Sequence, residues 1–143
     1  MIAGLKVGVV IPALIRKALE AREANAASVE VWGTGTPTRE FLYVDDAAHA
    51  IVLATERYNK SEPVNIGSSV EISIKDLVEL IVELTDFKGA VVWDRTKPDG
   101  QPRRKLNVDR ARKEFGFHSS TPFREGLRET IRWYQQVMAG TRS

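Results

Sequence analysis

Cysteine is absent from this 143-residue chain. Disulfides, thiolate metal ligands and thiol nucleophiles are therefore excluded within it, and the composition suits a reducing cytoplasm, the expected location. Histidine is scarce. His49 and His118 are the two side chains that titrate near neutrality without perturbation. His49 falls within a predicted helix and His118 in a loop beside Ser119 and Ser120, and neither has an acidic or nucleophilic partner at motif spacing. Both read as structural or surface residues. No metal-ligand spacing is present. The apolar run from Val7 to Ile15 falls well short of the roughly 20 residues that cross a bilayer. Pro12, followed by Arg16 and Lys17, suits a helix start better than a signal peptide, so no membrane partner is expected. Neither sign of charge dominates: 21 basic residues face 19 acidic ones, for a formal net charge of +2. The one dense basic cluster is Arg103-Arg104-Lys105. A run this short reads as a solvated face or an anion site, so no nucleic-acid partner is expected.

Hydrophobic residues make up 43% of the chain and charged residues 28%, the balance of a globular domain able to build a core. Ile11, Leu14, Ile15 and Ala18 recur at helical spacing. Val29 to Trp32 alternates as a strand does. Gly33-Thr34-Gly35-Thr36-Pro37 is a turn, and Phe41 to Val44 reads as a short strand. Asp45 is a predicted N-cap for a helix through Ala48, Ile51, Val52 and Thr55. Val64-Asn65-Ile66 reads as a strand closed by Gly67. Ser73, with Asp76 three residues on, opens a helix with Leu77, Leu80, Ile81 and Leu84 on one face. Ala90 to Trp93 is a further strand, and Thr96 to Arg104 a loop. A short helix from Val108 ends at Gly116. Thr121 caps a final helix with Pro122 at its first position and Phe123, Leu127, Ile131 and Tyr134 on one face. The expected fold is α/β with an α+β-like arrangement, several helices with short strands, in a single domain over 1–143. Such short strands suggest that pairing partners belong to a larger fold.

The residues themselves offer anion binding rather than catalysis. Gly33-x-Gly35-x-x-Thr38 resembles a dinucleotide fingerprint only superficially, because the third glycine is missing and a strand follows where a helix is needed. Asp45 and Asp46 are better explained by capping than as a catalytic carboxylate pair. Arg39 follows the Gly/Thr/Pro turn, while Lys97, Arg103 and Arg104 flank a Pro-Asp-Gly turn. Arginine's planar fork suits phosphate, and Trp32 offers an aromatic body to a sugar or base. The alternative is that all of these are surface residues with ordinary ion pairs.

Four strings sharpen the reading: Val10-Ile11-Pro12-Ala13-Leu14-Ile15-Arg16-Lys17, the run Val31-Trp32-Gly33-Thr34-Gly35 through Arg39-Glu40-Phe41 to Asp45-Asp46, then Val64-Asn65-Ile66-Gly67, and Lys97-Pro98-Asp99-Gly100-Gln101-Pro102-Arg103-Arg104. In order and spacing they resemble the C-terminal part of the GDP-L-fucose synthase family, extended short-chain dehydrogenase/reductases, from about Val9 to Tyr134. The resemblance implies a part that grips a GDP-sugar. Arg39 would hold the diphosphate and Trp32 would line the site. Val10, Leu14 and Lys17 would approach from the first helix, and Lys97, Asp99 and Arg103 from a loop closing over the ligand.

Enzymes of that family epimerise and reduce a GDP-keto-sugar with NADPH held in an N-terminal Rossmann domain. Their Tyr-x-x-x-Lys pair is not found here: Tyr43 is followed at that distance by Ala47, Tyr58 by Glu62 and Tyr134 by Met138. The epimerising cysteine has no counterpart, Val9 stands where the histidine would be, and Met1 to Gly8 is atypical. The expectation is a sugar-nucleotide-binding part with no catalytic residue and no cofactor site of its own. It would bind GDP-sugar weakly, pair as a homodimer, or join a separate Rossmann-domain chain to complete a split enzyme. A ligand-free interaction module is the remaining alternative.

Overall fold

The computed structural model describes residues 10–141. The atypical segment Met1 to Gly8 and the substituted position Val9 lie outside the described residues. Helix α1 (Val10–Glu23) carries Pro12 in its first turn, where the missing N–H is not needed, and buries Ile15, Ala18 and Leu19. Strand β1 (Ser28–Trp32) alternates as expected, with Val29 and Val31 inward and Glu30 and Trp32 outward. Strand β2 (Thr38–Glu40) is followed by α2 (Val44–Arg57), β3 (Glu71–Ser73), α3 (Ile74–Thr85), β4 (Ala90–Asp94), β5 (Arg103–Arg104), α4 (Asp109–Phe115) and α5 (Phe123–Thr141). Strands β1 and β4 pair in parallel from Ser28↔Ala90 to Trp32↔Asp94. In the other sheet β2 lies between β3, antiparallel, and β5, parallel.

Two clusters form the core. The first joins Ile15, Ala18 and Leu19 of α1 to Leu77 and Ile81 of α3 and to Leu127 and Ile131 of α5. The second joins Ala50 of α2 to Ala111 and Phe115 of α4 and to Phe117. Helix α3 follows its sequence pattern closely. Ser73 Oγ accepts the Asp76 N–H at 3.0 Å, and Asp86 ends the helix in the left-handed region at φ 57.

Five local expectations are corrected. Phe41 to Val44 is not a strand: Phe41 packs on the first cluster and Leu42 on the second, so the chain bridges two cores instead of continuing a ladder. Asp45 is not the N-cap of α2. Tyr43 occupies that position without a side-chain cap bond, and Asp45 lies in the first turn, where a negative charge complements the helix dipole. Val64 to Ile66 joins no ladder among the described strands, and both its apolar side chains pack on the second cluster. The segment from Thr96 to Arg104 is not all loop, because β5 pairs with β2 at its end. Thr121 does not cap α5 as expected. It turns its hydroxyl to Asp46 at 3.0 Å, and Pro122, just ahead of the helix, accepts the Glu125 and Gly126 N–H groups through its carbonyl.

Candidate functional site

The turn 33–37 and the loop 96–102 meet at the C-terminal end of the β1–β4 pair. Gly33 takes φ 93 and Gly35 φ 80, both in the left-handed region that favours glycine. A Cβ at Gly35 would lie 2.8 Å from the Trp93 ring and 3.0 Å from Lys75 Cβ, so the turn is pressed onto β4 and the start of α3. Asp94 organises the loop's first end. Its carbonyl accepts Gly33 N at 2.9 Å and Lys97 N at 3.2 Å, and its carboxylate accepts Thr96 N and Oγ1 at 3.0 and 2.6 Å. The Thr96 hydroxyl, then its amide, hold the Asp94 carboxyl below its ordinary value. At the other end, Thr38 N donates to Pro102 O at 2.9 Å.

Four of the expected ligand residues gather here. Trp32 is 60% exposed at the end of β1, and Lys97 Nζ stands 5.3 Å from its ring centroid, a cation–π contact. Arg39, half-buried on β2, donates from Nη1 to Thr38 O and Gln101 O, each at 2.7 Å. Both Nη1 hydrogens are thus used, and Nε and Nη2 have no partner among the described residues. That leaves an oriented pair of donors of the kind that grips carboxylate or phosphate. Asp99 is also present, with its carboxylate turned to Thr34.

The other expected residues sit differently. Lys17 Nζ donates to Glu30 O at 3.1 Å, along β1 from Trp32. Val10 and Leu14 pack against the first core cluster. Arg103 is bound by Nε and Nη2 to Glu71, both at 2.7 Å, with Thr38 Oγ1 on the same carboxylate at 3.0 Å. Arg103 holds the Glu71 carboxyl down to about 2.

Sequence reasoning missed the roles of Thr34 and of the Gln101 carbonyl, which only the loop crossing reveals. It also missed a cleft of about 290 Å³ lined by Ile11, Phe41, Tyr43, Val70, Thr121 and Phe123, among others. At its base Asp46, 4% exposed, accepts Ser120 Oγ at 3.2 Å, Thr121 N at 3.1 Å and Thr121 Oγ1 at 3.0 Å. Burial alone would raise this carboxyl's pKa, but the donors from Thr121 and Ser120 outweigh it and hold it low. This is a satisfied structural carboxylate tying α2 to the start of α5. Among the described residues no His/Cys/Asp/Glu group is arranged to hold a metal ion, and no helix is long and apolar enough to cross a membrane.

The profile of the NAD dependent epimerase/dehydratase family matches residues 3–67. A probable GDP-L-fucose synthase 1 of Oryza sativa is 49% identical over 87% of this chain and 38% of its own length. The GDP-L-fucose synthase of Escherichia coli is 41% identical over 87% of this chain and 41% of its own length. The chain is similar to this family over residues 3–67 and to these relatives over the shares given. Its fold agrees with a solved GDP-L-fucose synthetase of Naegleria fowleri at a TM-score of 0.86 and 29% identity, over 93% of this chain and 41% of that one. The chain thus spans about two-fifths of the length of these relatives. A second Naegleria structure contains bound NADP. The glycine turn described here does not fit a dinucleotide. It runs into strand β2 instead of a helix N-terminus, and Thr34 N, which would face a phosphate, is already held by Asp99.

Proposed function

We propose that this chain belongs to the epimerase/dehydratase family as a sugar-nucleotide-binding part that takes a GDP-sugar and does not turn it over alone. The observation that supports this most is the pair of unpartnered donors on Arg39, held in place by two backbone carbonyls beside an exposed Trp32 with Lys97 above it. Arg39 would grip the diphosphate, Lys97 would add charge, and the Trp32 face would receive the sugar or base. Lys17 would approach from α1. The nucleotide identity is taken from the names of the relatives.

Catalysis needs a positioned acid or base and a source of hydride. Neither a Tyr-x-x-x-Lys pair nor a dinucleotide cradle occurs among the described residues. The second reading is one half of a split NADPH-dependent epimerase/reductase, and the exposed apolar stripe on α2 favours it: Val44, Ile51 and Val52 are 67%, 61% and 54% exposed. Calorimetric titration with GDP, GDP-mannose and UDP-glucose tests the binding reading. The expected result is weak binding of both guanine ligands, no tighter than about 0.1–1 mM, with UDP-glucose weaker. Equal binding of all three would refute the guanine assignment. The purified chain is expected to oxidise no NADPH with the keto-sugar substrate, and turnover above a control free of host enzyme would refute the non-catalytic reading.

A further inference from the structure

The three-stranded sheet presents two sets of side chains. Pairing sets Thr38 beside Ser73 and Arg103, and Arg39 beside Ile72 and Arg104. Side chains alternate along a strand, so Thr38, Glu71 and Arg103 share one face and Arg39 and Arg104 the other. On the first face one carboxylate joins all three strands. Glu71 of β3 accepts Arg103 Nε of β5 on Oε1 and Arg103 Nη2 on Oε2, both at 2.7 Å. Its Oε1 also accepts Thr38 Oγ1 of β2 at 3.0 Å. On the second face Arg39 Nη1 bridges two carbonyls, Thr38 O on β2 and Gln101 O just ahead of β5. Those carbonyls stay in place only while β2 and β5 keep their spacing.

We infer that Glu71 is a positioning residue for Arg39: by clamping Arg103 and Thr38 it fixes β5 against β2, and with them the two carbonyls that orient the Arg39 donors for an anionic ligand. Strand β5 is two residues long and has little ladder of its own to hold it. A bidentate arginine–carboxylate pair has the geometry that lets an exposed ion pair count. Arg103 is withheld from the ligand by the same clamp, because Nε and Nη2, the edge of its fork, are both taken by Glu71. The clamp is ionised throughout the neutral range, since Arg103 and Thr38 hold the Glu71 carboxyl down to about 2. Lys105 Nζ, 3.8 Å from Oε2, adds a second positive charge on that face. A ligand that needs the oriented Arg39 binds with an apparent Kd set by the fraction of chains that hold the orientation.

This inference rests on the ligand reading of Arg39 for its binding arm only. The first arm needs no ligand and reads the Arg39 guanidinium by nitrogen-15 NMR, its signals assigned by their loss in Arg39→Lys. In the parent chain the two bonds of Nη1 should hinder rotation about Cζ–Nε and keep the Nη1 and Nη2 signals apart. In Glu71→Ala those signals should merge. Thr38→Val removes one of the three clamp bonds, keeps the carbonyl, and should show a smaller change of the same kind. The second arm titrates GDP-mannose into the parent, Glu71→Ala and the charge-balanced double variant Glu71→Gln/Arg103→Gln at low and high salt. Both variants should bind about three- to tenfold more weakly than the parent. The double variant should keep the parent's salt dependence, because the charges that meet the ligand are unchanged. Merged signals in the parent, or signals that stay apart in Glu71→Ala, would overturn the clamp. Unchanged or tighter binding by Glu71→Ala would overturn its role in binding, and a flattened salt dependence in the double variant would make Arg103 a direct contact. A parent chain that binds no GDP-mannose defeats the proposed function, and the guanidinium signals then decide the clamp alone.

Discussion

Asp46 shows why single residues of this chain resist reading from sequence. Beside Asp45 at a helix start it looks like a cap, yet its partners Ser120 and Thr121 are 74 and 75 residues away. Nothing local announces that contact. Replacing Asp46 by Ala should leave the Ser120 and Thr121 donors unpaired in a buried place. A loss of about 1–3 kcal/mol is expected, read from urea denaturation at neutral pH. Acid should have a related effect. Asp46 and Glu71 are both held below their ordinary values of 3.8 and 4.5. Each therefore contributes stability that is present above its unfolded pKa and is lost as pH falls through its folded one. For Glu71 that window runs from 4.5 down to about 2. Denaturation midpoints measured from pH 6 to pH 2.5 should fall, and Glu71→Gln should flatten the lower part of that fall. A parallel profile for the variant would contradict the assignment. Arg39 was singled out in the sequence by its type and its place after a Gly/Thr/Pro turn. That its Nη1 would be tied down by Thr38 and Gln101, with no partner for Nε and Nη2 among the described residues, was not legible, since Gln101 lies 62 residues on.

Elements with strong periodicity and local caps were legible. Helix α3 has its Ser73 cap, its apolar face and its left-handed stop at Asp86 all within its own segment. Strand β1 alternates cleanly between core and solvent. Segments whose apolar residues serve two different cores were not. Phe41 and Leu42 look like a strand because both are apolar and adjacent, but each is claimed by a separate cluster. Val64 and Ile66 alternate like a strand and are partly buried on the second cluster, yet no described strand pairs with them. The pattern records which side chains are buried and not which ladder they join. At this scale Ser73→Ala is the informative variant. It removes the Asp76 N–H acceptor at the start of α3, the helix shared by the first core. The expected cost is about 1 kcal/mol, with little change in the far-ultraviolet circular dichroism of the folded protein. A change within error in the denaturation midpoint would show that the cap contributes nothing.

Across the whole molecule, the outward side of α2 is an apolar face left uncovered by the described residues. Ala48, Ile51 and Val52 are exposed there, with Val44 at its start, while Asp46, Ala50 and Leu53 face inward. Apolar surface of this kind is costly in water and is usually covered by another chain or domain. Self-association, most simply as a twofold dimer, is the expected consequence when no other polypeptide is present. Sedimentation at micromolar concentration should show a species heavier than the 16.0 kDa monomer, and Ile51→Glu should shift it towards monomer. A parent chain that stays monomeric on concentrating would contradict this.

The central claim, that the chain holds a sugar nucleotide through the free donors of Arg39, is tested most directly by titrating GDP-mannose into the parent and Arg39→Ala proteins side by side. A charge-assisted bond to phosphate contributes about 1.5–3 kcal/mol, so the variant should bind roughly ten- to a hundredfold more weakly, while its denaturation curve stays close to the parent's. Equal affinity of the two proteins for GDP-mannose would contradict the account.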